Sequence, residues 1–346
     1  MKNICILGHF AYGQNKANGQ TIKTQIVTES LESMLSKEQV ETIDTCGGLK
    51  TLVKAPFQCL RALKCAENVA MFPAHNGLRI YGALLPLFRP FYKNRKLHYV
   101  VIGGWLASIL ENKPFLTKQL KKFDGIYVET NSMKIALEKM GFQNIFVMPN
   151  CKKLQILEQS ELTCAKEIPY QLCTFSRVIR EKGIEDAVRA VQAINEAAGK
   201  TVYSLNIYGP VDETQTEWFE KLQAEFPDYI QYGGVIPFDQ SVEVLKNHFA
   251  LLFPTRYYTE GVPGTIIDAY AAGVPVISSK WKNFGDVIEE GKTGLGFDFE
   301  NTEQLTALLQ KIAEQPELIN SMKVDCLRKA GEFLPEPVLR TMVEKL

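Results

Sequence analysis

Residues 176–183 read Ser-Arg-Val-Ile-Arg-Glu-Lys-Gly and follow the apolar run 172–175. They lead into a segment where Ile184, Ala187, Val188, Val191 and Ile194 recur at helical spacing. A helix start presents unpaired N–H groups and the positive end of a dipole, and Arg177 and Lys182 would add full charges there. That combination suits a phosphate or diphosphate; a solvated basic loop is the other reading of the same residues. The second run, residues 260–268, reads Glu-Gly-Val-Pro-Gly-Thr-Ile-Ile-Asp. Two acids, Glu260 and Asp268, bracket a Gly-Pro-Gly turn in which Gly261 and Gly264 permit close backbone approach and Pro263 suits a first helical turn. Thr265 and Asp268, three apart, would share one helix face. The turn can offer the N–H groups of Val262, Gly264 and Thr265 to phosphates and carboxylates to sugar hydroxyls, unless the acids serve only to cap a helix.

Both runs need strands that end beneath them. Apolar runs at 4–7, 69–72, 99–102, 125–128 and 145–148 alternate with helical patterns, and the rhythm restarts at 172–175, 204–207, 250–253 and 274–277. This is the cadence of parallel βα units, so the fold class expected is α/β, with two Rossmann-like doubly wound parallel-sheet domains facing a cleft. At 346 residues and 46% hydrophobic content the chain is long enough for two cores. Residues 1–165 are assigned to the first domain and 166–334 to the second, joined by a polar connector at 151–169. Ligands of such sheets bind where strands end and helices begin.

The order and separation of the two runs resemble family 4 glycosyltransferases of the GT-B fold. The family's strand-G-R-loop-E-K-G segment is matched by residues 175–183, and its E-x7-E element by Glu260 through Asp268, followed by Gly273, Pro275 and Val276. Residues 287–294, the Gly19-Gln20 loop and residues 124–150 also fit. The resemblance implies that Arg177, Lys182 and Glu260 are catalytic, the cations on the donor diphosphate and Glu260 on the donor sugar. It places Gly19, Gln20, Gly261, Val262, Gly264, Thr265 and Asp268 at the donor, with Asp268 on the ribose. The activity it implies is retaining hexosyl transfer from a nucleotide-diphosphate sugar to a saccharide or lipid-linked acceptor, in surface polysaccharide synthesis. It implies no cofactor and no divalent metal, and a last helix, 335–346, crossing back to the first domain. The chain departs from the pattern at Asp268, where the family has Glu, and at Gly103-Gly104-Trp105, where many members carry a His; His9 is a substitute to consider.

Lys plus Arg and Asp plus Glu both number 39, which weighs against a dedicated nucleic-acid binder. The balance is uneven, with +9 over residues 1–150 and −9 over the remainder. Between 49 and 98 the cations Lys50, Lys54, Arg61, Lys64, Arg79, Arg89, Lys93, Arg95 and Lys96 face only Glu67, interleaved with Leu84, Leu85, Leu87, Phe88, Phe91 and Tyr92. Such a stretch either lies on an anionic membrane or covers a core with snorkelling cations. With no signal-peptide pattern and no apolar run long enough to span a bilayer, the expected location is cytoplasmic, peripheral on the inner face of the membrane. The eight cysteines show no CxxC pair, which reads as reduced thiols. Other readings stay open: a nucleotide-sugar epimerase or phosphorylase of the same architecture, or a membrane-docked binding protein without activity. A dinucleotide-dependent dehydrogenase is disfavoured, because Gly8, Gly13 and Gly19 are too widely spaced for GxGxxG.

Overall fold

The computed structural model describes residues 1–12, 19–47 and 49–346, with backbone alone for 49–52. Gly13 therefore lies outside the described residues, as does the side chain of Lys50. Among the described residues twelve strands form two sheets, all their pairings parallel. The first contains β1 (Lys2–Gly8), β2 (Val40–Asp44), β3 (Ala66–Met71), β4 (Lys96–Val100), β5 (Gly125–Val128) and β6 (Ile145–Val147), in the order β2-β1-β3-β4-β5-β6. The second contains β7 (Tyr170–Phe175), β8 (Tyr203–Tyr208), β9 (Ile230–Gly234), β10 (Ala250–Phe253), β11 (Val276–Ser279) and β12 (Gly294–Phe297), in the order β12-β11-β10-β7-β8-β9. The two doubly wound sheets inferred from the apolar runs are present. This is the architecture implied by the resemblance to the GT-B fold.

In the first unit β1 is buried on both faces, which explains its unbroken apolar run. Cys5 and Leu7 enter one core with Leu63, Leu78 and Leu97, while Ile4 and Ile6 enter another with Val27, Leu31, Val338, Leu339 and Met342. In the second unit Leu172, Leu205 and Ile207 pack on the stripe of Ile184, Val188, Val191 and Ile194. That stripe belongs to the helix Ile184–Ala198, as its spacing predicts.

The units are Met1–Lys153 with Phe333–Leu346, and Leu154–Glu332, so the division falls earlier than residue 165. Leu157 is buried and its N–H donates to the Ala271 carbonyl at 3.0 Å, and Ala165 exchanges two hydrogen bonds with the Asn320 side chain. A polar composition reads as a connector, but a few apolar and backbone contacts bind 154–165 to the second unit. The Lys152 N–H donates to the Phe333 carbonyl at 3.1 Å, and the helix Pro335–Val343 packs on the first unit through Val338, Leu339 and Met342. Strands β2, β9 and β12 escaped the sequence analysis because they are short outer strands with mixed polar residues and Gly.

Candidate functional site

Within the second sheet the chain winds outward from β7 to β9 in one direction and from β10 to β12 in the other. Neighbouring β7 and β10, paired at Leu172 with Ala250 and Cys173 with Leu251, therefore form a topological switch point. The loops that follow these two strands are the two runs singled out by composition. The first closes in a 3-10 turn, Arg180–Lys182, followed by Gly183 at φ +69°. A Cβ on Gly183 would stand 1.9 Å from the backbone oxygen of Pro254, so glycine is what lets the first loop lie against the start of the second.

That contact brings Lys182 to Glu260, and the two form an ion pair with side chains 17% and 16% exposed. The ammonium also stands 5.3 Å from the Phe253 ring centroid and 5.7 Å from that of Tyr257, within cation–π range. Glu260 is held at its backbone by Asn283, whose amide donates to the Glu260 carbonyl. Beneath the pair Thr255 is buried, with its hydroxyl oxygen accepting from the Tyr257 N–H at 3.1 Å and its carbonyl from the Ser279 hydroxyl at 2.6 Å. A partly desolvated charge acts more strongly on an incoming anion than one in bulk water.

Arg177 stands differently, with a side chain 60% exposed and its guanidinium 3.3 Å from Asp212. The Thr214 hydroxyl and N–H, followed by Arg177, hold the Asp212 carboxyl below the ordinary range. The same segment clamps the loop: the Val178 N–H donates to the Pro210 carbonyl, and the Gln215 side chain bonds the Arg180 N–H at 2.8 Å and the Glu181 carboxylate at 3.0 Å. Sequence reasoning missed this clamp. It also missed Arg256, which binds Asp186 through two hydrogen bonds of 2.8 and 2.6 Å while its N–H donates to the Glu181 carbonyl. An Arg just after a strand, with an Asp in the first turn of a nearby helix, was the available signal.

The helix after β10 is Gly264–Ala271, with Pro263 extended at its cap. Gly261 and Val262 are buried before it, and the Ile266 N–H turns back to the Pro263 carbonyl at 3.1 Å. Helix ends leave first-turn N–H groups without intrahelical partners, here those of Gly264 and Thr265. The Thr265 hydroxyl is buried without a hydrogen-bond partner, a group that a ligand can satisfy. Asp268 sits one turn on, 3% exposed. Arg177, Lys182, Glu260, Gly261, Val262, Gly264, Thr265 and Asp268 thus all lie on the two switch-point loops and the helix they lead into. Gly19 and Gln20 belong to the first unit, where Gly19 opens the helix Gly19–Leu35 with no atom of the described residues within 4 Å of where its Cβ would be. In that unit His9 bonds the Thr21 hydroxyl at 2.9 Å, and a buried ion pair, Lys23 with Glu129 at 2.6 Å, escaped the sequence analysis.

Residues 159–324 match the family described as glycosyl transferases group 1. They form a glycosyltransferase group 1 domain. The group 1 domain spans both loops of the switch point. A protein of Salmonella typhimurium named for colanic acid biosynthesis, the glycosyltransferase WcaL, is 25% identical over 38% of this chain and 32% of its own length. The amylovoran biosynthesis glycosyltransferase AmsK of Erwinia amylovora is 22% identical over 42% of this chain and 36% of its own. The alignments thus span about a third of the length of these curated relatives. Two solved structures show the fold over 99% of this chain and 98% of theirs. Sucrose-phosphate synthase from Thermosynechococcus elongatus has a TM-score of 0.77 at 16% identity, and Anabaena Alr3699/HepE in complex with UDP has 0.73 at 12%.

Proposed function

We propose that the protein transfers a hexosyl group from a nucleoside-diphosphate sugar to a growing surface polysaccharide or lipid-linked saccharide, with retention of configuration. The observation that carries this reading is the convergence of Lys182, Glu260 and the start of the helix Gly264–Ala271 at the switch point of a group 1 domain. Relatives named for colanic acid and amylovoran biosynthesis and a similar fold seen with UDP support it. In the reaction the bond between the sugar's anomeric carbon and the diphosphate oxygen breaks, and the diphosphate keeps the electron pair. The acceptor hydroxyl forms the new bond on the same face and passes its proton to the departing diphosphate oxygen. Arg177 and Lys182 stabilise the charge that develops on the diphosphate, assisted by the N–H groups of Gly264 and Thr265. Glu260 orients the donor sugar, and Asp268 holds the ribose. With two cations and a helix end at the leaving group the proposed reaction needs no divalent metal, and turnover should persist in EDTA.

Removing one such electrostatic stabiliser lowers kcat by on the order of a hundredfold or more. Arg177→Ala and Lys182→Ala are expected to do so while remaining folded by circular dichroism; near wild-type kcat in both would defeat the assignment. Incubation with donor alone separates the epimerase alternative, since an epimerase would convert it without acceptor.

The first unit supports a peripheral membrane location. Val53, Phe57, Leu87 and Phe91 are 61–80% exposed among the cations of residues 53–93. No helix among the described residues is long and apolar enough to cross a membrane. The proposed placement is the anionic inner face of the cell membrane, next to a lipid-linked acceptor.

A further inference from the structure

The turn Arg180–Lys182 buries none of its side chains, so its position has to come from bonds to neighbouring segments. Arg256, in the loop after β10, supplies three of them. Its backbone N–H donates to the Glu181 carbonyl at 2.8 Å, and its guanidinium donates to both carboxylate oxygens of Asp186 at 2.8 and 2.6 Å. Glu181 immediately precedes Lys182, and Asp186 lies in the first turn of the helix Ile184–Ala198. Arg256 therefore grips the chain on both sides of Lys182 and Gly183. Glu260, the partner of Lys182, belongs to the same loop as Arg256, so both halves of the ion pair are tied to this anchor.

The Asp186 side chain is 10% exposed and that of Arg256 46%. A carboxylate so far out of water needs a partner, and a guanidinium that meets it with two N–H groups fixes direction as well as charge. Arg256 is thus committed to Asp186, its charge offset, while Lys182 points to Glu260. We propose that Arg256 is a positioning residue which, together with Asp186, sets the Lys182 ammonium where the donor's diphosphate arrives, a role that rests on the glycosyltransferase reading given above.

The test titrates UDP, GDP and ADP by calorimetry into the full chain, into Arg256→Lys, Asp186→Asn and Lys182→Ala, and into the two double variants that contain Lys182→Ala. Lys keeps the charge of Arg256 without its planar fork, and Asn keeps the shape of Asp186 without its charge. Arg256→Lys and Asp186→Asn should each bind the nucleotide preferred by the wild type about tenfold more weakly. In the Lys182→Ala background each should cost less than about twofold, because residues that act through one group are not additive. Full affinity in Arg256→Lys or in Asp186→Asn, or equal losses with and without Lys182, would overturn the proposal; the last result would leave Arg256 acting independently of Lys182. Hydrogen exchange of the Lys182, Gly183 and Ala187 amides, which bond the carbonyls of Ile179, Arg180 and Gly183, is followed in the same proteins without nucleotide, with circular dichroism to show that they are folded. Exchange should be faster than wild type in Arg256→Lys and Asp186→Asn, and wild-type exchange in both would likewise overturn the proposal. If no nucleoside diphosphate binds the wild type while exchange still rises in both variants, the donor reading fails and the hold of Arg256 and Asp186 on the Lys182 loop stands.

Discussion

Lys182 and Arg177 carry the same charge in different surroundings, and burial decides what each can do. Lys182 is held between two rings and Glu260, so in the proposed reaction a donor would have to compete with an existing ion pair, whereas Arg177 would meet it from an exposed pairing with Asp212. Burial also governs His98 of β4. Its Nδ1 faces the Tyr127 hydroxyl at 3.2 Å and its Nε2 faces the Asn68 side-chain oxygen at 3.1 Å, an arrangement satisfied by the neutral ring. Desolvation above all pushes its pKa down from 6.5 to about 4. Between these values the unfolded chain binds the extra proton and the folded one does not, so stability is present above about pH 6.5 and is lost as pH falls toward 4. The loss attributable to His98 should approach about 3 kcal/mol. Urea unfolding at pH 7 and pH 4.5 should show it for the first unit, and His98→Gln should flatten the dependence. An equal slope in the variant would assign the pH sensitivity to other groups.

The helices Leu49–Cys65 and His75–Phe88 show how an element divides a charged, apolar sequence between two faces. Ala55, Cys59, Ala62 and Leu63, and Leu78, Tyr81 and Leu85, enter the core, with Leu84, Phe88 and Tyr92 packed against it. Several cations are engaged within the unit: Arg61 with Glu41, Arg89 with Asp124, Arg95 with the Leu63 carbonyl and Lys96 with the Lys345 carbonyl. What faces outward is Val53, Phe57, Leu87 and Phe91 with Lys54, Lys64 and Lys93. Replacing those three lysines with Gln should cost up to about 3 kcal/mol of attachment to phosphatidylglycerol vesicles, because each cation near such a surface contributes about 1 kcal/mol. Flotation should also weaken from 0.1 M to 1 M salt, as the Debye length falls from about 10 to about 3 Å. Wild-type protein that stays unbound at low salt would remove the membrane from the account.

At the scale of the molecule, residues near the end of the sequence complete a core built near its beginning. Val338, Leu339 and Met342 are at most 5% exposed and pack with Ile4, Ile6, Val27 and Leu31. Fully burying one such side chain contributes roughly 1.5–3 kcal/mol. Deleting residues 335–346 should therefore destabilise the first unit by several kcal/mol while the second, with its own core, keeps its affinity for a nucleoside diphosphate. Denaturant unfolding followed in parallel with calorimetry of UDP binding reads both. Lost UDP binding with an unchanged first unit would show that these residues serve the second unit instead.

Parallel βα units, two sheets and the loops that carry Arg177, Lys182, Glu260 and Asp268 were legible in the sequence, because buried strands and helix starts leave local patterns in residue type. Lys182 and Glu260 are 78 positions apart, and only the β7–β10 pairing with the close approach at Gly183 makes them an ion pair. The Lys23–Glu129 pair and the allotment of 154–165 to the second unit were equally out of reach. Each joins residues from distant segments, and contacts of that kind are chosen by strand order and packing, which no local spacing records.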